Sequence, residues 1–428
     1  MSTQCPNRRN DTTRSYSTNA LEAQNDHGLR DSTDIVDSSN EKPAVAKKGR
    51  ISFRMRIHHF TWVWFTLTMS TGGIALLLAS TPHRFTGLTV LGDIVFIFDL
   101  LLFVLLCTGI SARFILYPKS LASSLQDSTE SLFFPTFWIS LLSILSNVHA
   151  YGAPHCGTWL ITTLRVLFWI YATLTFFVAV VQYCYLFAAK QQTLQSMSLA
   201  WILPIFPIML SGTLASVLAG SQPPNHALPI VIAGVTFQGL GMLVAVSMYG
   251  PYIGRLMTSG LPEPNTRPGM FIAVGPPSFT GLALMGMSEE FARIYPAHAT
   301  IAGITNPDVI ADVFRVLAVS TAVFLWAMAF WFVCISMVSV LGGVRQMSFH
   351  LLWYAFVFPN VGFAIVIIKL GQAFQSEGLL WVGSALTVIL VGVWLGVLVM
   401  HVRAVILKQL LWPEKDEDEH EGERARDG

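Results

Sequence analysis

An apolar run about long enough to cross a bilayer, His350 to Ile368, carries a proline in its middle: Trp353-Tyr354-Ala355-Phe356-Val357-Phe358-Pro359-Asn360-Val361-Gly362-Phe363. Proline removes a backbone donor and presses its ring against the carbonyl four residues back, so a spanning helix is kinked there. In hydrocarbon such a break is tolerated only where protein or a water-filled cavity meets the freed polar groups. The device recurs: Pro204 and Pro207 interrupt one run, Pro276 and Pro277 another, and Gly72-Gly73 lies near the middle of the first. These broken helices are expected to face one another and line a pathway, with the remaining segments as casing.

Of the 428 residues, 53% are hydrophobic and 12% charged, about half the charged share of a soluble protein. The chain therefore belongs in a lipid bilayer. Formal net charge is +1, so bulk charge gives no reason to expect a nucleic-acid partner. Cys5, Cys107, Cys156, Cys184 and Cys334 show neither a CxxC nor a Cys/His ligand spacing, so no disulfide framework, metal or cofactor is expected. Residues 1–50 are polar and lack the apolar stretch of a signal peptide, which leaves the first span to direct insertion. Residues 1–55 read as a disordered cytosolic tail, poor in apolar groups, and residues 411–428 as a disordered charged one. The sequon Asn10-Asp11-Thr12 precedes every span and would be unmodified on such a tail.

Ten apolar segments of spanning length follow one another in residues 56–410, beginning at Phe60 to Ser80. They predict an all-α integral membrane protein, multi-pass, whose expected location is the plasma membrane although run lengths do not choose among membranes. An even number of spans returns both termini to one side, and the loop charges say which. Arg113, Lys119, Lys190, Arg255, Arg267, Arg345, Arg403 and Lys408 fall on the side of the N-terminus, where Lys47, Lys48, Arg50, Arg54 and Arg56 precede the first span. The opposite loops carry little beyond Arg84, Arg293 and Lys369, so both termini are expected to be cytoplasmic.

Helix breakers fall in spans one, five, seven and nine, whose starts are spaced by multiples of about 70 to 80 residues. Ten helices arranged as five hairpins around a central pore, odd helices inside and even ones outside, is the economical arrangement. The central parts of the odd spans hold no Asp, Glu, Lys or Arg. Interior charges sit instead on even spans, at Asp99, Arg165, Asp312 and Arg315. An intramembrane charge is costly and so marks function by default, although pairing between helices or with interfacial water is the plainer explanation here.

The expected pathway wall is therefore uncharged: Ser70, Thr71, Gly72, Gly73, Ser211, Thr213, Ser278, Thr280 and Asn360 among Phe and Met. Each hydroxyl alone is weak evidence, because Ser and Thr in membrane helices commonly bond to their own backbone. A helix broken at Pro or Gly offers a half-helix N-terminus whose free N–H groups attract anions, whereas cations would need carboxylate rings. Passage of anions is therefore favoured. Phe356 and Phe358 point in different directions on a helix, and the kink at Pro359 decides which reaches the axis to act as a plug.

Phe60-Thr61-Trp62-Val63-Trp64-Phe65-Thr66-Leu67-Thr68-Met69-Ser70-Thr71-Gly72-Gly73-Ile74-Ala75, together with the Trp353 to Phe363 stretch, resembles the tellurite-resistance/dicarboxylate transporter family. That family also includes plant slow anion channels and fungal sulfite exporters, and Met69 to Gly73 is similar to its malic acid transport branch. The resemblance covers roughly residues 55 to 410. It implies ten helices as five hairpins, proline-kinked inner helices, a phenylalanine gate at Phe358 with Phe356 as second candidate, and a homotrimer with a pore in each subunit. It further implies uptake of C4 dicarboxylic acids with protons. A proton relay on the inner helices would have to use His149 or His350, so the simpler expectation is that the proton travels on the substrate as a monoanion. Export of sulfite or of another organic acid is the alternative within the family. An enzyme is not expected, since His58-His59 lacks the i, i+4 spacing of a helix-borne metal site.

Overall fold

Residues 53–127, 129–188, 193–294 and 307–410 are described by the computed structural model, and among them there is no strand. The expectations for the two tails, and for Lys190, lie outside these residues or largely so. Ten helices are long and apolar enough to cross a membrane: α1 (Trp62–Ser80), α2 (Leu88–Leu116), α3 (Glu130–Gly152), α4 (Thr158–Ala188), α5 (Leu199–Ser221), α6 (Pro224–Ser259), α7 (Pro264–Phe291), α8 (Val309–Gln346), α9 (Leu351–Ala373) and α10 (Glu377–Ile406). The protein is an all-α, multi-pass membrane protein.

Burial divides the ten by parity. Within the most apolar window of each odd helix, 67% to 94% is buried, against 17% to 39% in the even ones. The odd helices touch in a cycle, α1 on α3, α3 on α5, α5 on α7, α7 on α9, and α9 back on α1. The even helices lie against them: α2 on α1, α6 on α5 and α7, α8 on α7, and α10 on α9 and α1. Helix α4 packs chiefly on α5, the helix that follows it. Lipid tails are as apolar as leucine, so burial cannot rest on water exclusion between helices; close packing and interhelical hydrogen bonds hold them instead. Those bonds keep a regular offset. From α1 to α3 they join residues 72 to 76 apart, Thr68 with Ser140, Trp62 O with Thr136, Gly72 O with Asn147, and Ala75 O with Tyr151.

Each odd helix is also a composite. A 3-10 stretch precedes an α-helical one in four of them: Trp62–Trp64 before Phe65–Ser80, Leu199–Ile205 before Phe206–Leu218, Pro264–Val274 before Gly275–Ile294, and Leu351–Phe356 before Phe358–Ala373. In α3 a single α-turn, Glu130–Phe133, precedes Pro135–Asn147. The prolines stand at these changes. Pro207, Pro276 and Pro359 are second in their α-helical segments and Pro135 is first, where a missing N–H costs least.

Candidate functional site

Proline orphans a carbonyl one turn earlier, and the structure supplies a donor for each of three. Trp201 O would take Pro204 in 3-10 geometry and instead accepts from Tyr183 Oη at 2.9 Å. Ala273 O, four residues before Pro277, accepts from Tyr249 Oη at 2.8 Å. Phe356 O, three before Pro359, accepts from the side-chain amide of Asn360 at 2.9 Å. Two of the donors are tyrosines on outer helices. Tyr249→Phe should therefore leave Ala273 O unpaired and cost about 1 kcal/mol, read as a lower unfolding temperature in detergent.

All five odd helices meet at these junctions around a cavity of about 30 Å3. It is lined by Thr66 and Met69, Phe133, Thr136 and Ile139, Leu203 and Phe206, Ile272, and Leu352, Ala355, Phe358 and Pro359. None of these side chains is ionisable. Such a space holds about one water molecule, so the five odd helices close on one another at this level. Phe358 is buried and stacks on Phe279, ring centroids 5.0 Å apart at 27°. Phe279 in turn meets Phe206 edge-on at 6.4 Å.

Each of these rings rests where the next helix lacks a side chain. A Cβ on Gly275 would lie 2.4 Å from Phe206, one on Gly362 3.0 Å from Phe279, and one on Gly73 3.2 Å from Phe358. Phe356 behaves otherwise: it is half-buried, packs edge-on to Phe271 and Trp353, and does not line the cavity.

Beyond Phe133, Ile272 and Leu352 the cavity gives way to a vestibule of about 590 Å3 at the N-terminal ends of the odd helices. Polar groups appear there, among them Gln195, Ser198, Tyr252, Arg255, Glu263 and Thr266. The starts of α5, α7 and α9 open on it through Leu199, Thr266 and Leu352, presenting positive dipole ends.

One expectation is corrected here. Free N–H groups do not mark the proline breaks, because the 3-10 stretches use them: Phe65 N–H bonds Trp62 O, Phe206 N–H bonds Leu203 O, and Gly275 N–H bonds Ile272 O. The positive ends lie one segment earlier, at the vestibule.

Most of the hydroxyls expected on the pathway are engaged elsewhere. Thr71 accepts from Trp394 Nε1 of α10, and Thr280 from Gln238 Nε2 of α6, so both face outer helices. Ser70 donates to Tyr354 O, Ser211 to Ile208 O, and Thr213 Oγ1 lies 3.5 Å from Phe279 O. Ser278 is fully buried and its Oγ has no partner. Gly72 faces Ser143 and Asp99, whereas Gly73 faces Phe358. Thr66 and Thr136, which do line the cavity, were not singled out by sequence; each stands second in its α-helical segment, the place held elsewhere by Pro207 and Pro359. His149 pairs with Ser221 at 3.1 Å and His350 with Ser348 O at 3.2 Å, neither at the cavity.

Residues 59–402 match the family described as voltage-dependent anion channel, SLAC1. The chain is 36% identical over 377 residues to the malic acid transport protein of Schizosaccharomyces pombe, covering 87% of this chain and 85% of that one. It is 25% identical over 360 residues to the sulfite efflux pump SSU1 of Arthroderma benhamiae, covering 83% and 93%. These relatives are transporters, not enzymes. With ten spanning helices, five of them meeting at an uncharged constriction, the chain belongs to the SLAC1 family of membrane anion transport proteins.

Proposed function

We propose that this protein carries a C4-dicarboxylic acid of the malate kind across the plasma membrane, both termini being cytoplasmic, through a central pore that the five odd helices enclose and Phe358 closes. The observation that carries the mechanism is the cavity of about 30 Å3, to which every odd helix contributes and no ionisable side chain does. The choice of malate is supported by the 36% identity to a malic acid transport protein, against 25% to a sulfite efflux pump. The working unit is a homotrimer with one pore per subunit.

The acid enters as its monoanion, or with protons. An uncharged wall offers a dianion no counter-charge, and halving the charge lowers the cost of leaving water. Dicarboxylic acids lose their protons around pH 4, so well above that range the monoanion falls about tenfold per pH unit. Uptake of labelled malate into liposomes holding the purified protein should follow the monoanion concentration as external pH is varied. A rate that follows the dianion would refute this. Growth on malate beside sulfite sensitivity in cells expressing the protein separates the malate assignment from sulfite export.

A further inference from the structure

We propose that Asp99 is a proton-binding site whose ionisation shifts α1 against the Phe358 ring, so that passage responds to pH separately from the protonation of the substrate. The inference rests on the passage proposed above. Asp99 lies on α2, an outer helix, yet is wholly buried, and neither carboxyl oxygen has a hydrogen-bond partner. The other interior charges read from the sequence differ, Asp312 and Arg315 being exposed and Arg165 partly so, while buried Arg113 is paired with Glu130. Pairing, the plainer explanation offered from sequence, does not account for Asp99.

The carboxyl points at the backbone of α1. A Cβ on Gly72 would sit 2.7 Å from Asp99 Oδ2 and 2.5 Å from Ser143 Oγ, while a Cβ on the next residue, Gly73, would sit 3.2 Å from Phe358. One peptide step of α1 thus separates the acid from the ring. Only glycine allows both approaches.

Among the described residues no counter-charge is near. Of the elements packed on α2, α1 brings no Asp, Glu, Lys or Arg, and α3 brings Glu130, which is bound to Arg113, His149, which is paired with Ser221, and Tyr151, which donates to Ala75 O. The short helices Phe53–His58 and Lys119–Gln126 bring Arg54, Arg56, His58 and Lys119, but near the Arg113 end of α2. Arg113 lies fourteen residues beyond Asp99, about 20 Å along the helix, and Asp93 six residues before it, about 9 Å.

A neutral acid suits this setting. An ionised one has to draw water or donors toward itself, since a bare buried carboxylate is strongly disfavoured. Donors grouped about Gly72 are Ser143 Oγ, now given to Ser140 O, and Asn147 Nδ2, now given to Gly72 O. Recruiting Ser143 breaks only a bond within α3, whereas recruiting Asn147 frees Gly72 O and loosens α1 from α3 beside Gly73, which gives two arrangements that proton binding selects between.

Two readouts on the reconstituted full-length protein test this. Infrared difference spectra between acidic and alkaline buffer should show the carbonyl stretch of a buried carboxylic acid, lost in Asp99→Asn. The ratio of wild-type to Asp99→Asn malate uptake, each pair measured in the same solution, should change with pH, because substrate speciation cancels in the ratio. A band that survives the substitution, or a ratio flat across pH, overturns the proposal. Failure of the monoanion reading leaves both readouts intact, since it alters the two rates equally. If Asp99→Asn does not insert, Ser143→Ala should shift the same band, and an unshifted band counts against the site.

Discussion

Phe358→Ala is expected to open a steady leak of small anions through liposome-reconstituted protein, at least about tenfold above wild type. The ring is the largest side chain of α9 on the wall of the constriction, and its stacking on Phe279 adds about 0.5 to 1.5 kcal/mol to the hold on the closed arrangement. Each 1.36 kcal/mol taken off a barrier is about tenfold in rate. Phe356→Ala is the control, since that side chain packs on Phe271 and Trp353 away from the cavity and should leave flux at the wild-type level. Equal leaks in the two variants would return Phe358 to ordinary packing. A truncated buried phenylalanine also costs about 3 to 5 kcal/mol of stability, so insertion and monodispersity are checked before flux.

Arg113→Met should destabilise the protein by about 3 to 5 kcal/mol. Arg113, in the last turn of α2, forks onto both oxygens of Glu130 at the start of α3 and also donates to Phe60 O at 2.8 Å. Its side chain is 7% exposed and that of Glu130 14%, so solvent screens the pair little. Removing the guanidinium alone strands a buried carboxylate. Arg113→Met combined with Glu130→Gln removes both charges and should recover most of the loss in thermal unfolding in detergent. A single substitution as mild as the double one would show that the bridge holds nothing together.

Much of the architecture was legible in the residues. Apolar run lengths gave all ten spans with ends within a few residues, and prolines with absent charges separated the buried odd helices from the exposed even ones. Side-chain direction was not legible. An odd helix such as Phe358–Ala373 is apolar on every face, so no periodicity tells which side meets a pathway. That is why Thr71 and Thr280 read as lining while the structure turns them to Trp394 and Gln238. One available signal was passed over: Phe-Pro occurs three times, as Phe134-Pro135, Phe206-Pro207 and Phe358-Pro359, each at the start of an α-helical segment of an odd helix. Aligning those pairs would have put Thr136 one residue after the aligned prolines, beside the level of Phe358 and Pro359. The 3-10 stretches lay beyond sequence reasoning, because their geometry depends on donors such as Tyr183 and Tyr249 from distant helices.

Phe206, Phe279 and Phe358 each occupy the empty place of a glycine on the succeeding inner helix, so each ring is seated against its neighbour's backbone. Such a closure does not yield one latch at a time. In the proposed pore, opening is therefore expected to turn α5, α7, α9 and α1 together and to be sensitive to a single methyl group added at Gly362, which lies against Phe279.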